Sequence, residues 1–257
     1  MGELSIGELW RYPVKSMQGI SERELLLQPL GVVGDRAYGV VDVTSGTVIS
    51  AKREARMLLA AALEGEGQAL CVRLPSGVEL PIGPGLDAAL SEWLERPCRL
   101  VAAEHYGIPT YERSRDFEDE ESGADRWEGP PGSFVDESPV HLVTRASLRG
   151  VASERKDLDF SPRRFRPNLV IEADGTALVE QSWLGRRLRV GTAELEVTKA
   201  CVRCVVTTRA QPGGIDRRLD VLRHLSAAHR SVLGVRARVL VPGVIRVGDP
   251  VTLKGVG

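Results

Sequence analysis

The sequence predicts a mainly β fold of the α+β class: two β-barrel-like domains with a few peripheral helices. Three observations predict it. Gly (27) and Pro (15) cut the 257 residues into short runs, several of which alternate apolar and polar with period two. Only three segments carry an apolar stripe at helical spacing. A composition break at about residues 113–132 separates two β-rich halves. Short strands with frequent turns favour barrels or sandwiches over layered α/β folds.

The elements follow in order. Arg36 to Asp42 reads as a strand, built on Ala37-Tyr38-Gly39-Val40-Val41. Val72 to Ile82 reads as two short strands around the turn Pro75-Ser76-Gly77. Leu86 to Leu94 places Leu86, Leu90, Trp93 and Leu94 on one helical face. Asp116, Glu118, Asp119, Glu120 and Glu121, then Gly129-Pro130-Pro131-Gly132, make a stretch unable to bury apolar surface. It reads as a solvated loop or linker, with a mobile lid or a docking strip for a basic partner as the sharper alternative. The expected domains are therefore 1–115 and 133–257, joined by 116–132.

In the second half, Thr144 to Glu154 reads as a helix capped by Thr144. Leu188 to Val197 alternates cleanly across a Gly-containing turn, and Val244 to Leu253 repeats that design. Asp216 to Ser231 aligns Leu219, Leu222, Leu225 and His229 as a third helix. Val205-Val206-Thr207-Thr208, four β-branched residues in a row, favours a strand over a helix.

Composition excludes several classes. With 34 basic and 35 acidic side chains the net charge is −1, so no global field draws nucleic acid or an anionic membrane surface. No run approaches the roughly 20 apolar residues that span a bilayer. Met1 to Arg11 carries Glu3 and Glu8 and no apolar core, unlike a secretory signal, and a cytoplasmic location is expected. Four cysteines are too few for a disulfide framework in a chain of this length. Cys71 reads as core, and Cys98 has no reactive context.

Cys201-Val202-Arg203-Cys204 is unlike a thioredoxin-type pair, which opens a helix. Here the pair leads into the β-branched run and reads as lying at the start of, or within, a strand. Lys199 and Arg203 are cationic neighbours that stabilise a thiolate, which is both a nucleophile and a soft metal ligand. Such a ligand beside positive charge suits a metal carried by an anionic cofactor. A zinc site from Cys201, Cys204, His224 and His229 is disfavoured, because the gap between the pairs exceeds the usual ~12–15 residues. On a regular helix, two histidines five apart also diverge by about 140°. His224 is then expected exposed and His229 partly buried. Cys201 is either a small buried residue or a redox partner of Cys204. His141 is either packed or at the border of a cleft.

Other polar clusters sit in apolar contexts: Tyr12-Pro13-Val14-Lys15-Ser16, Gly34-Asp35-Arg36, Ser138 to Thr144, and Arg163-Arg164-Phe165-Arg166-Pro167-Asn168. Arg166 precedes Pro167 and is biased to an extended backbone. Guanidinium forks, an ammonium and side-chain amides are suited to holding phosphate.

Taken together, these residues resemble the MOSC family, named for the C-terminal part of molybdenum-cofactor sulfurase, over nearly the whole chain. Tyr12-Pro13-Val14-Lys15-Ser16 and Gly34-Asp35-Arg36 resemble the family's N-terminal β-barrel domain. Phe165-Arg166-Pro167-Asn168, the Cys201-to-Thr208 run and Val247-Gly248-Asp249-Pro250-Val251 resemble the MOSC domain. The resemblance implies a molybdenum cofactor of the molybdopterin type in a cleft between the domains. It implies Cys204 as the metal ligand and catalytic residue, and cofactor contacts from Lys15, Ser16, Arg36, Thr144, Arg166, Asn168 and Arg203. Reduction of small N-hydroxylated substrates is the implied activity. The chain stops soon after Val251-Thr252-Leu253, so electrons are expected from a separate donor protein of the ferredoxin, flavodoxin or cytochrome type. Where the family often continues into an Asp-Pro turn, this chain has Arg209-Ala210-Gln211-Pro212-Gly213-Gly214, a loop expected to border the substrate entrance. A sulfur (persulfide) carrier or cofactor-handling protein, and a non-catalytic anion-binding barrel, are the alternatives.

Overall fold

Alternating runs in the second half assemble the largest sheet, and strands from both ends of the chain complete it. The computed structural model describes residues 3–65, 67, 69–119 and 122–255. The sheet has eight strands, which in chain order are β1 (Ser5–Arg11), β2 (Ile20–Glu22), β12 (Val140–Thr144), β13 (Leu169–Glu172), β14 (Arg187–Val190), β15 (Ala193–Val202), β16 (Val232–Val241) and β18 (Val251–Lys254). Their spatial order is β18-β14-β15-β16-β12-β13-β1-β2. β15 and β16 pair through three register shifts. Each bulge bends and twists the strand that carries it, and the sheet curls into a half-barrel.

The N-terminal half contributes smaller sheets. β3 (Glu24–Gln28) and β4 (Gly31–Val32) pair with β17 (Gly243–Arg246). β5 (Tyr38–Asp42) pairs with β9 (Cys98–Ala102), and β6 (Ala61–Glu64), β7 (Leu70–Arg73) and β8 (Glu79–Pro81) form a meander. β10 (Thr110–Ser114) and β11 (Ala124–Glu128) make a hairpin. The two halves are therefore interwoven at β1–β13 and β3–β17. The β1–β13 pairing sets Leu9 opposite Leu169, which brings the chain after β1 beside the chain before β13.

Burial explains the elements. Alternate residues Leu25 and Leu27 of β3 and Leu188 and Val190 of β14 share one core with Leu142, Leu169, Ile171 and Ile245. β12 is buried on both faces: Val140 and Leu142 enter that core, and Val143 enters a second one with Leu148, Phe165, Val221 and Leu225. The second core lies under helices α2 (Arg145–Glu154) and α4 (Leu219–His229). A third, in the N-terminal half, collects Val14, Met17, Leu58, Leu86, Leu90 and Leu94, the last three from helix α1 (Pro84–Leu94). A short helix, α3 (Pro162–Phe165), precedes β13. No described helix is long and apolar enough to cross a membrane.

Several expectations change. Val205–Thr208 is a 3-10 turn, not a strand, and β15 stops at Val202, so Cys204 lies beyond it. Thr207 donates its backbone N–H and its hydroxyl to the Cys204 carbonyl (3.0 and 2.9 Å), and the Thr208 hydroxyl donates to the Val205 carbonyl (2.8 Å). Threonine hydroxyls that close on nearby carbonyls offer the backbone an alternative to a ladder. The acidic stretch is not wholly a loop, because Ala124–Glu128 pairs with Thr110–Ser114. Trp127 supplies the missing apolar surface, packing on Tyr111 at 5.2 Å between ring centroids. Glu120 and Glu121 lie outside the described residues. Cys71 is only half-buried, whereas Cys98 is buried. His224 is half-buried rather than exposed.

Candidate functional site

Four segments meet where β1 and β15 end and β12 and β13 begin. They are the loop after β1 with Lys15 and Ser16, the turn before β5 with Arg36, the α3–β13 connection with Arg166 and Asn168, and the β15 exit with Arg203 and Cys204. All of these residues line one cleft. Six cations line it, Lys15, Arg36, Lys52, Arg166, Arg203 and Arg236, against a single carboxylate, Asp136. In a chain of net charge −1, this local excess focuses a positive field into a concave site.

Three of these residues hold a left-handed backbone: Ser16 (φ 68°), Arg36 (φ 47°) and Arg166 (φ 56°). Such non-glycine conformations cost about 1 kcal/mol or more and persist where the surroundings fix them. Arg166 is therefore not extended. It caps α3, giving its N–H to the Pro162 carbonyl at 3.0 Å, and the C-cap geometry overrides the bias from Pro167. Arg36 is fixed by its N–H to the Tyr12 carbonyl at 2.7 Å.

Tyr12 is the platform between the two arginines. The Arg36 and Arg166 guanidinium carbons lie 4.5 and 4.3 Å from its ring centroid. Arg166 donates to the Met17 carbonyl at 2.6 Å, and Arg36 pairs with the buried Asp35. Burial, with Arg36 nearby, lowers Arg166 to about 10, and burial raises the Tyr12 phenol to about 12. Both groups keep their protons at neutral pH. Asn168 accepts the His141 N–H at 3.1 Å and donates to the Trp10 carbonyl at 3.3 Å.

On the opposite wall, Lys15 donates to the Phe134 carbonyl at 2.8 Å and to Asp136 at 3.0 Å. Lys52 reaches the same Asp136 oxygen at 3.0 Å and stands 4.0 Å from the Trp127 centroid. Burial pulls Lys15 down to about 8 despite Asp136. Burial raises the Asp136 carboxyl, but the two ammoniums outweigh it and hold the group well below the ordinary range.

His141 is buried, and the Arg203 guanidinium lies 3.2 Å from its Nε2. A guanidinium only donates, so Nε2 accepts and the ring proton sits on Nδ1, toward the Arg166 carbonyl at 3.4 Å. Burial and the charges of Arg203 and Arg236 push its pKa well below the usual value, so the ring is neutral. Arg203 also donates to Cys201 Sγ at 2.9 Å and to the Phe165 carbonyl at 2.7 Å. Cys201 is fully buried, and Cys204 is partly exposed at the cleft.

The other expected residues fall elsewhere. Thr144 does not join the cleft. Its hydroxyl caps α2, accepting from the Ser147 N–H at 3.1 Å and donating to the buried Glu180 at 2.7 Å. Arg164 is buried and donates to the Thr207 and Asp216 carbonyls, at 3.0 and 3.2 Å. Arg163 ties the Pro212 carbonyl (2.7 Å) to Gln18 (3.2 Å). That tie pins the Arg209–Gly214 loop, none of whose residues lines the cleft. Sequence reasoning missed Lys52, Asp136 and Arg236. Arg236 alone left a signal, as a charge between Val235 and Ala237 in an apolar strand.

The cleft fits an anionic group. Among the described residues that line the cleft, the buried Ser50 Oγ, Arg203 Nε and Arg236 Nε have no hydrogen-bond partner within the protein. Buried polar atoms without partners are costly, and an anion rich in acceptors satisfies the donors among them. The Cys204 thiol at the same cleft supplies a soft donor for a metal.

Comparison with known proteins agrees with this chemistry. The MOSC domain profile matches residues 130–252, and the MOSC N-terminal beta barrel domain profile matches residues 3–106. The mouse and human proteins called Mitochondrial amidoxime-reducing component 1 are each 28% identical, over 98% of this chain and 82% and 83% of their own lengths. A zebrafish Molybdenum cofactor sulfurase is 27% identical over 78% of this chain and 27% of its own length. Among solved structures, YiiM from Geobacillus stearothermophilus overlays 46% of this chain and 55% of its own at TM-score 0.37 and 22% identity. The domain match and the amidoxime-reducing component and sulfurase relatives support a molybdenum-cofactor-associated function at the level of the family. With both profiles aligned across nearly all of the sequence, the chain belongs to the MOSC family.

Proposed function

We propose that the cleft holds a molybdenum-bearing pterin cofactor and that the protein reduces N-hydroxylated compounds. The observation that carries this reading is the partly exposed thiol of Cys204 in a cleft lined by six cations and one carboxylate. Cys204 is the thiolate ligand in this reading. Lys15, Arg36, Arg166 and Arg203 offset the charge of dithiolene and phosphate, while Ser16 and Asn168 orient the group. Lys52 and Arg236, which line the same cleft, add to that charge.

When bound, such a cofactor supplies a metal able to take up and release two electrons. The overall change for an amidoxime is balanced: the N–O bond breaks, two electrons and two protons enter, and an amidine and water leave. The electrons come from a separate redox protein of the ferredoxin, flavodoxin or cytochrome type. His141, neutral and held by Arg203, keeps that guanidinium turned toward the cleft. The reading is tested by assaying cofactor-loaded wild type and Cys204→Ala with benzamidoxime and a reduced viologen. Turnover lost at least about 100-fold in the variant supports it, and equal turnover refutes it.

The sulfur-carrier alternative draws on the partial exposure of Cys204 and on the sulfurase relative. A persulfide on Cys204 in protein lacking molybdenum would favour it.

A further inference from the structure

We propose that Glu154, His224 and His229 form a second metal site, separate from the cleft, that takes a borderline divalent cation of the zinc type. The Nε2 atoms of His224 and His229 lie 2.8 and 2.7 Å from the same oxygen, Glu154 Oε2. The three ligand atoms all lie within 4.8 Å of one another. Tetrahedral zinc with bonds of about 2.0–2.1 Å needs ligand atoms about 3.4 Å apart, so small side-chain rotations open room for the ion.

Two histidines five apart on a helix are expected to diverge, yet the side chains of His224 and His229, both within α4, converge on Glu154. His229 is the last residue of α4, and Arg230 turns left-handed after it (φ 52°). The His224 and His229 rings stand 5.7 Å apart at 79°, so both edges reach one point. The His224 ring packs edge-on against the buried Phe160 at 6.1 Å, which fixes its orientation.

The electrostatics favour a cation. Glu154 ends α2 as His229 ends α4. Two helix C-termini, each bearing about half a negative charge, converge on the site. Each ligand has an arginine next to it in sequence: Arg155 is held by Asp157 at 2.8 Å, Arg223 by Glu118 and Asp220 at 2.8 and 3.2 Å, and Arg230 is exposed to solvent, which screens its charge. Two neutral imidazoles and one carboxylate leave a bound dication with charge +1 and a fourth position open to water, the pattern of three-ligand zinc sites. On binding, the proton that each Nε2 now gives to Glu154 moves to Nδ1 or leaves to solvent. The site joins α2 to α4, and α4 packs on the Val205–Thr208 turn that follows Cys204.

The test is a titration of metal-free full-length protein with cobalt(II) chloride, followed by visible spectroscopy and competed with zinc chloride. One equivalent is expected to bind with ligand-field bands and no thiolate charge-transfer band, which separates this site from Cys201 and Cys204. The imidazole signals of His224 and His229 should broaden in the same titration of wild type. Affinity should fall about 10- to 100-fold in His229→Ala and in Glu154→Gln. No cobalt uptake, uptake with only a thiolate band, or imidazole signals unmoved by cobalt would overturn the proposal. So would binding unchanged in both variants.

Discussion

Arg203 donates to the sulfur of Cys201 at 2.9 Å, although Cys204 is the cysteine at the cleft. The fully buried Cys201 helps hold the guanidinium that faces the site, and exposure divides the pair. Iodoacetamide treatment of the metal-free protein, followed by peptide mapping, should label Cys204 and the half-buried Cys71 and spare Cys201 and Cys98. Cys201→Ala should lose about 1–2 kcal/mol of stability while keeping its metal. Rapid labelling of Cys201 would contradict this division.

Tyr12 carries two roles that substitutions can separate. Tyr12→Phe keeps the ring between Arg36 and Arg166 and removes an oxygen with no partner in the protein. Thermal unfolding should show a change below about 1 kcal/mol. Tyr12→Ala removes the platform and a buried ring, and should lose about 3–5 kcal/mol. A large loss in the phenylalanine variant would refute the assignment of stability to the ring.

Lys15 makes anion binding depend on pH. Its folded pKa, near 8, lies below the ordinary lysine value. The unfolded chain therefore binds more protons between about pH 8 and 10.5, and this group adds stability as pH rises through that window. Anion affinity moves the other way, because the ammonium is lost above about pH 8. Sulfate, which does not titrate there, should bind more weakly from pH 8 to 10 in wild type, with the slope reduced in Lys15→Gln. A slope unchanged in the variant would remove Lys15 from the site.

Asp136 works at the acid end. Its carboxyl is depressed, so its contribution is present above about pH 4 and is lost as pH falls toward its folded pKa. Asp136→Asn should cost about 2 kcal/mol at pH 7. A fully buried pair would cost more, but Asp136 keeps 34% of its side chain in water. The cost should shrink as pH falls below about 4, as read by urea denaturation.

Thr144 distinguishes a cap from a cofactor contact. Thr144→Ala removes the α2 cap and the hydrogen bond to Glu180, and should cost about 1–2 kcal/mol. Its molybdenum content should equal that of wild type. Loss of metal without loss of stability would return Thr144 to the site.

What the sequence revealed follows from the range of the interactions involved. Leu86, Leu90 and Leu94 announced α1 because local periodicity and burial coincide. Lys15, Arg36, Arg166 and Arg203 stood out as charges in apolar surroundings, and the cleft collects all four. Val205–Thr208 misled because β-propensity reports fit to a pleated surface, whereas here threonine hydroxyls close the turn. Arg166 misled because the bias from a following proline is local, and a helix cap and a buried partner overrode it. Lys52 and Asp136 left no trace, since their pairing joins positions 84 residues apart. The same holds for Glu154, which meets His224 and His229 only through the packing of α2 beside α4.

The central claim is that Cys204 ligates molybdenum within the cationic cleft. The most direct test is the molybdenum content per chain of wild type and Cys204→Ala, both purified without oxygen from a host that makes the cofactor. The account predicts close to one metal per chain in wild type and almost none in the variant, with both proteins equally folded. Equal metal in the two, or none in wild type from such a host, would contradict it.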